Sequence, residues 1–335
     1  MVRRLQRFGQ SQEGAFHLSS SRNHNVRALT EGALLAALTI VLYVADVYTR
    51  ILVYVVPVPI AILVVRHNLR TGLMAAAVSA LGVGLILGPI DSVIVFVRVA
   101  TLGLTLGVCL AKMLPWPRTI GIATIASLAQ VVIDFMLAAA LAKLSPSALL
   151  ARIIDEFTVA GEQAVQIYEK IGMGEASLTL ARQSMELMGN WLRLFLPVIV
   201  LGTAVLGALI VASIARWVLL RMKQRVVPAP PFAHWQLGWQ WIWGLIAGII
   251  LLYVGQWMDI ESISAVGRNV TMGFTLLYTV QGIAIIWHFF VKRKLPKFVA
   301  VIVIILVYMT PPLNLLIPIA GVLDTWLDFR NLAAQ

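Results

Sequence analysis

Residues 92–114 read SVIVFVRVATLGLTLGVCLAKML, and this stretch decides the fold class. Before Lys112 it carries one charge, Arg98. A helix needs about 20 mostly apolar residues to cross the hydrocarbon core of a bilayer. Similar runs lie on both sides. Upstream are Ala28–Ala45, closed by Asp46, then Ile51–Val65 with Pro57 and Pro59, then Gly72–Leu87, ending at Gly88-Pro89 and Asp91. Downstream are Thr119–Ala142, Trp191–Leu220, Trp239–Trp257, Val270–Val291 and Phe298–Leu323. Ile51–Val65 is too short for a full span, so it is expected to tilt, kink at its prolines or unwind against its neighbours. The last run is interrupted by Pro311, Pro312 and Pro318. It reads as one kinked span or as two half-length segments folding back, and one span is favoured.

Composition and charge agree with a multi-pass membrane protein. Mean hydropathy is +0.90 and only 12% of residues are charged, where a soluble domain carries about a quarter. The breaks between the runs alternate in charge. With the first placed in the cytoplasm, 17 of the 26 Lys and Arg fall on that side, accompanied only by Glu13 and Glu31. The other side, charges within the runs included, holds 8 Lys and Arg against 11 Asp and Glu. The positive-inside rule then orients the chain in a bacterial inner membrane with its N-terminus cytoplasmic. The basic clusters adjoin the spans, which points to lipid headgroups and topology rather than to nucleic acid. A lone cysteine, Cys109, excludes an intrachain disulfide and a cysteine-based metal cluster.

The chain divides into a basic arm (1–27), a six-span unit (28–225), a proline-rich linker (226–238), C-terminal spans (239–323) and a short tail (324–335). The linker includes VVPAPP (Val226–Pro231), too rich in proline to continue a helix. Four tryptophans, Trp235, Trp239, Trp241 and Trp243, form an aromatic belt beside the seventh run. Within the six-span unit, 147–190 is an acidic insertion with Leu150, Ile153, Ile154, Phe157, Ala164, Ile167, Tyr168 and Ile171 at helical spacing. It reads as an external amphipathic hairpin with its apolar stripe on the spans, as a structural cap or a lid.

Enzyme signatures are missing. There is no GxxxxGK[ST], HExxH or GxSxG, and the five histidines (17, 24, 67, 234, 288) lack metal-ligand spacing. Neither a cofactor nor a resident metal is expected. Asn269-Val270-Thr271 matches a glycosylation acceptor but abuts a span, and is set aside. The informative residues are charges at membrane depth, which cost several kcal/mol unless they meet a partner or line a cavity. Arg98 and Asp134 lie in the outer halves of consecutive runs, about 10 and 12 Å below their outer ends at 1.5 Å per residue. They are expected to approach one another. Gln130, one turn deeper, shares the face of Asp134, and Asp46, Tyr48, Arg50, Tyr54, Asp91 and Arg193 surround the outer openings. A buried ion pair that fixes packing and an outward-facing polar pocket both fit. Gly32, Ala33, Ala36 and Ala37 form a small-residue stripe where a helix of this chain or a partner can approach closely.

LTEGALLAAL (Leu29–Leu38), PVPIA (Pro57–Ala61), RHNLRTG (Arg66–Gly72), the Ala/Gly-rich third run and the ending Asp324-x-x-x-Asp328-Phe329-Arg330 resemble the YybS-like bacterial membrane proteins. The N-terminal part of that family is similar to the S components of energy-coupling-factor transporters, six-span proteins that capture vitamins or metal ions from outside. The resemblance implies an S-component-like fold for roughly residues 28–225. It also implies that Ala33 and Ala37 match the Ala-x-x-x-Ala pattern that meets a transmembrane coupling subunit. The departures are the insertion, about three further spans and the lack of any matching vitamin pocket.

The resulting expectation is an all-α polytopic bundle of eight or nine spans. Its leading function is substrate capture for uptake of a small molecule or ion, with Arg98, Asp134, Gln130, Asp91 and Tyr54 as contacts. Partner ATPases would supply the energy. The rival is a non-transporting membrane scaffold or regulatory protein.

Overall fold

In the computed structural model, residues 2–332 are described, with side chains from residue 26 onward. The side chains of most of the 1–27 arm and the last three residues of the 324–335 tail therefore lie outside the described residues. Among the described residues the α-helices are, in order, α1 (Val2–Thr49), α2 (Val58–Arg66), α3 (Leu69–Leu87), α4 (Pro89–Arg98), α5 (Thr105–Ala111), α6 (Trp116–Leu141), α7 (Pro146–Lys170), α8 (Glu175–Arg221), α9 (Ile242–Trp257), α10 (Glu261–Lys292), α11 (Lys297–Met309) and α12 (Leu313–Leu327). No strand occurs among the described residues. Among the described residues, seven helical segments are long and apolar enough to span a membrane, and α11–α12 raises the count to eight if that bent pair is one span. The second apolar run is the short one. Its first part is unwound, a 3-10 turn at Leu52–Tyr54, and α2 follows with Pro57 at its N-cap and Pro59 in its first turn.

The chain separates into two compact units, Met1–Leu141 with Thr203–Pro228, and Ala142–Gly202 with Ala229–Gln335. In the first, α2 lies at the centre: every residue from Val58 to Val64 is buried. Helices α1 and α3 pack on it, and so does the α4–α5 rod, which is continuous through a π-helical segment at Val99–Leu104. Close approach depends on glycine. A methyl on Gly103 would stand 3.0 Å from the Pro57 carbonyl oxygen, and one on Gly107 2.9 Å from that of Ala61. These two glycines, four apart, are the small-residue seam that brings backbones together. Local signals set the breaks. The Asn68 side chain caps α3 by accepting from the Thr71 backbone N–H at 2.8 Å. Gly88, at φ +112°, makes the turn into Pro89 at the first position of α4.

In the second unit α10 is the central helix. It crosses α9 at Gly248, where a methyl would come within 2.8 Å of the Thr271 amide nitrogen. Against α12 the fit is reciprocal: a methyl on Gly282 would overlap the Ile317 carbonyl oxygen, and one on Gly321 that of Tyr278. Asn269 of the discarded glycosylation triplet ties α10 to α8, donating to the Leu194 carbonyl at 2.9 Å.

One expectation is corrected. The second arm of the 147–190 insertion is not a separate helix: α8 runs unbroken for 47 residues from it through the sixth apolar run. Nothing at Gly189-Asn190 forces a break, and Pro197 is accommodated inside the helix. The insertion therefore belongs partly to α8, and the stripe of α7 (Ile154, Gly161, Val165) packs on the start of that helix, with Met185 against Gly161. The last apolar run is sharply bent, which fits a broken span or a folded-back pair alike. Thr310-Pro311-Pro312 interrupts it and α12 leaves α11 at 110°, because consecutive prolines remove two amide donors and clash with the preceding turn.

Candidate functional site

The buried face of α1 runs Gly32, Ala36, Thr39, Tyr43, Asp46, at spacings of three and four. Its last two members meet Arg98, which ends α4 just before the π-helical segment. Asp46 Oδ2 accepts from Arg98 Nη1 at 3.3 Å, and Arg98 Nη2 lies 3.9 Å from Asp134 Oδ2 on α6. Tyr43 donates through its hydroxyl to Asp91 Oδ1 at 2.9 Å, while the Arg98 guanidinium stands 5.8 Å from the Tyr43 ring centre. One cation thus joins three helices. Asp46 is 6% exposed, Arg98 16% and Asp134 29%, so the cluster grades from sealed on α1 to partly open on α6. Asp91 lies in the first turn of α4, where the helix dipole also favours a carboxylate.

The cluster leaves hydrogen-bonding capacity unused. Asp46 Oδ1, Arg98 Nε, Gln130 Oε1 and Asp134 Oδ1 are buried without a partner. Nearly all such atoms in folded proteins are satisfied, so four in one cluster require an explanation such as bound water or solute. Among the described residues, no group of three or more His, Cys, Asp or Glu is arranged to hold a metal ion.

Of the residues expected at the site, Arg98 and Asp134 approach each other, Gln130 is buried one turn from Asp134, and Asp91 joins through Tyr43. Tyr54 has its ring against Gly207, which also stands beside Ser127 of α6. Asp46, expected at an outer opening, is instead the nearer partner of Arg98, and Tyr43 was not anticipated. The three-and-four spacing of small and polar residues continuing through Asp46 is the signal that finds both. Tyr48 and Arg50 are exposed, and Arg193 lies 3.9 Å from Asp155 of α7. The small-residue stripe divides: Gly32 and Ala36 are buried, with Ser79 donating to the Ala36 carbonyl at 3.3 Å, whereas Ala33 and Ala37 are exposed.

Two further polar centres lie outside this cluster. Glu31 accepts from Arg66 at 2.8 Å and Arg27 at 3.2 Å and meets His67 Nε2 at 2.8 Å. In the second unit Asp324 and Arg330 of the C-terminal pattern form an ion pair at 2.7 Å with neither side chain exposed. Arg330 also donates to the Ala233 carbonyl at 2.9 Å, and Gln281 donates to Asp324 at 3.2 Å. The end of the linker is therefore fastened to α10 and α12.

The two Arg98 contacts predict unequal losses. Asp46→Ala should lower stability by about 2 kcal/mol, less than a fully stranded charge because Asp134 remains. Asp134→Ala should cost about 1 kcal/mol or less, as for a partly exposed pair. Thermal unfolding of the detergent-purified variants measures this, and the reverse order would assign the principal contact to Asp134.

Comparison with known proteins adds family information. Residues 33–325 match the family model described as "Predicted membrane protein (DUF2232)". The chain is 27% identical over 314 residues to the "Uncharacterized protein YybS" of Bacillus subtilis (strain 168), covering 91% of this chain and 98% of that protein. No solved structure matches it.

Proposed function

This chain belongs to the DUF2232 family of predicted membrane proteins, and from that premise we propose that it captures a small, positively charged solute at the Arg98 cluster, as the binding subunit of an uptake system. The observation that carries the reading is the unused hydrogen-bonding capacity around a partly open intramembrane ion cluster. Buried charge is costly enough to be kept mainly for packing or function. The carboxylates of Asp46, Asp91 and Asp134 outnumber the single guanidinium, so the complement is a cation. Charge sorting orients the N-terminus to the cytoplasm of a bacterial plasma membrane and the cluster toward the outer side. With no nucleotide-binding motif in the sequence, energy comes from partner ATPases. Ala33 and Ala37, exposed on α1, are the docking face for a coupling subunit of the S-component type.

A panel of amines, cationic vitamins and metal ions, scanned by thermal unfolding of the purified chain, tests this. A ligand at 100 times its Kd stabilises by about 2.7 kcal/mol. The expected result is a hit that Asp134→Asn weakens; a panel without hits would overturn it.

One observation favours a scaffold instead: Arg98 joins α1, α4 and α6 as a structural brace would. That reading predicts no ligand, and capture of partners that is unaffected by Ala33→Leu with Ala37→Leu. Loss of a coupling subunit from those substitutions supports uptake.

A further inference from the structure

At the opposite end of the apolar part of α1 from Asp46, the first unit holds a cavity of about 210 Å³ lined by Arg27, Arg66, His67 and Gln224. All four lining side chains are polar. Arg27 is near the start of the apolar part of α1, Arg66 is the last residue of α2, and Gln224 lies just past the end of α8. The cavity therefore lies where three apolar segments terminate, the level of lipid headgroups in a bilayer. Glu31 accepts from both arginines and meets His67. It holds them in place but supplies one negative charge against two guanidiniums. Arg27 remains 74% exposed and donates through Nε to Glu31. Lys223 and Arg225 flank Gln224, adding positive charge at the same helix end. At about 30 Å³ per water the cavity has room for roughly seven waters, or for one tetrahedral oxyanion with its solvation. Guanidiniums suit phosphate because their planar N–H donors pair with its oxygens.

We propose that this cavity binds a phosphate group, presented by an anionic lipid headgroup, and so anchors the first unit to the adjacent leaflet. The site is independent of the Arg98 cluster.

The test uses the full chain purified in a neutral detergent and short-chain phosphatidylglycerol, phosphatidylcholine and inorganic phosphate as probes, with retention read by native mass spectrometry. Phosphatidylglycerol is expected to be retained and phosphatidylcholine not. Arg27→Gln and Gln224→Glu should each weaken retention about tenfold. Arg27 is exposed and Gln224 half-buried, so an unchanged gel-filtration profile and helical content should accompany the loss. Competition by inorganic phosphate supports the phosphate chemistry. Inorganic phosphate bound without lipid would overturn the headgroup assignment. Retention of neither anion, or retention unchanged in both variants, would overturn the site.

Discussion

Arg330→Met is expected to cost the second unit about 3–5 kcal/mol, the usual penalty for stranding one partner of a buried ion pair. Asp324 would keep its carboxylate where no solvent reaches, with the Gln281 amide at 3.2 Å as its remaining side-chain contact. The same change removes the bond from Arg330 to the Ala233 carbonyl, releasing the linker from α12. At about 2–4 °C per kcal/mol, the unfolding midpoint in detergent should fall by roughly 10 °C. Asp324→Asn combined with Arg330→Met should recover part of the loss, because the uncompensated charge is gone. A single substitution with an unaltered midpoint would mean that the pair contributes no net stability.

Gly282→Leu is the second large effect. A β-carbon there overlaps the Ile317 carbonyl oxygen of α12, which is backbone and cannot rotate away. The helices must separate, and the reciprocal contact at Gly321 is lost with them. Overpacking typically costs about 1–3 kcal/mol, and a clash with backbone belongs at or above the top of that range. Gly273, on the same helix, is the control. Its added methyl would only touch Val198, at 3.8 Å, so Gly273→Ala should be neutral or slightly stabilising through helix propensity. Equal losses at both positions would attribute the effect to glycine in general rather than to the α10–α12 crossing.

The helices were legible in the sequence because the solvent for a membrane protein is apolar and the pattern is written in length and hydropathy. Pro57 and Pro59 in a run of about 15 residues foretold the unwound entry to α2. Helix contacts were less legible. The stripe at Gly32–Ala37 drew attention, yet the closest approaches to neighbouring backbone are at Gly255, Gly267, Gly282 and Gly321. Small residues are spread through every apolar run, and periodicity alone does not say which face a neighbour takes. Asp46 was read as the end of a span because charge interrupts hydropathy, whereas the helix continues to Thr49 and turns that carboxylate onto Arg98. Asp324 and Arg330 fall in the short tail by the same rule. Only the fold, by bringing Ala233 and Gln281 against them, turns two terminal charges into a buried pair.

The uptake reading stands or falls on whether water and solutes reach the Arg98 cluster from outside. The direct measurement is Asp134→Cys in a Cys109→Ala background, treated in intact cells with membrane-impermeant methanethiosulfonates. The native Cys109 is buried, and such reagents require a thiolate in contact with water. Labelling from outside is expected, faster with a cationic than with an anionic reagent because Asp46 and Asp91 remain. Labelling only after the protein is unfolded would contradict a solute site and leave Arg98 as a sealed brace.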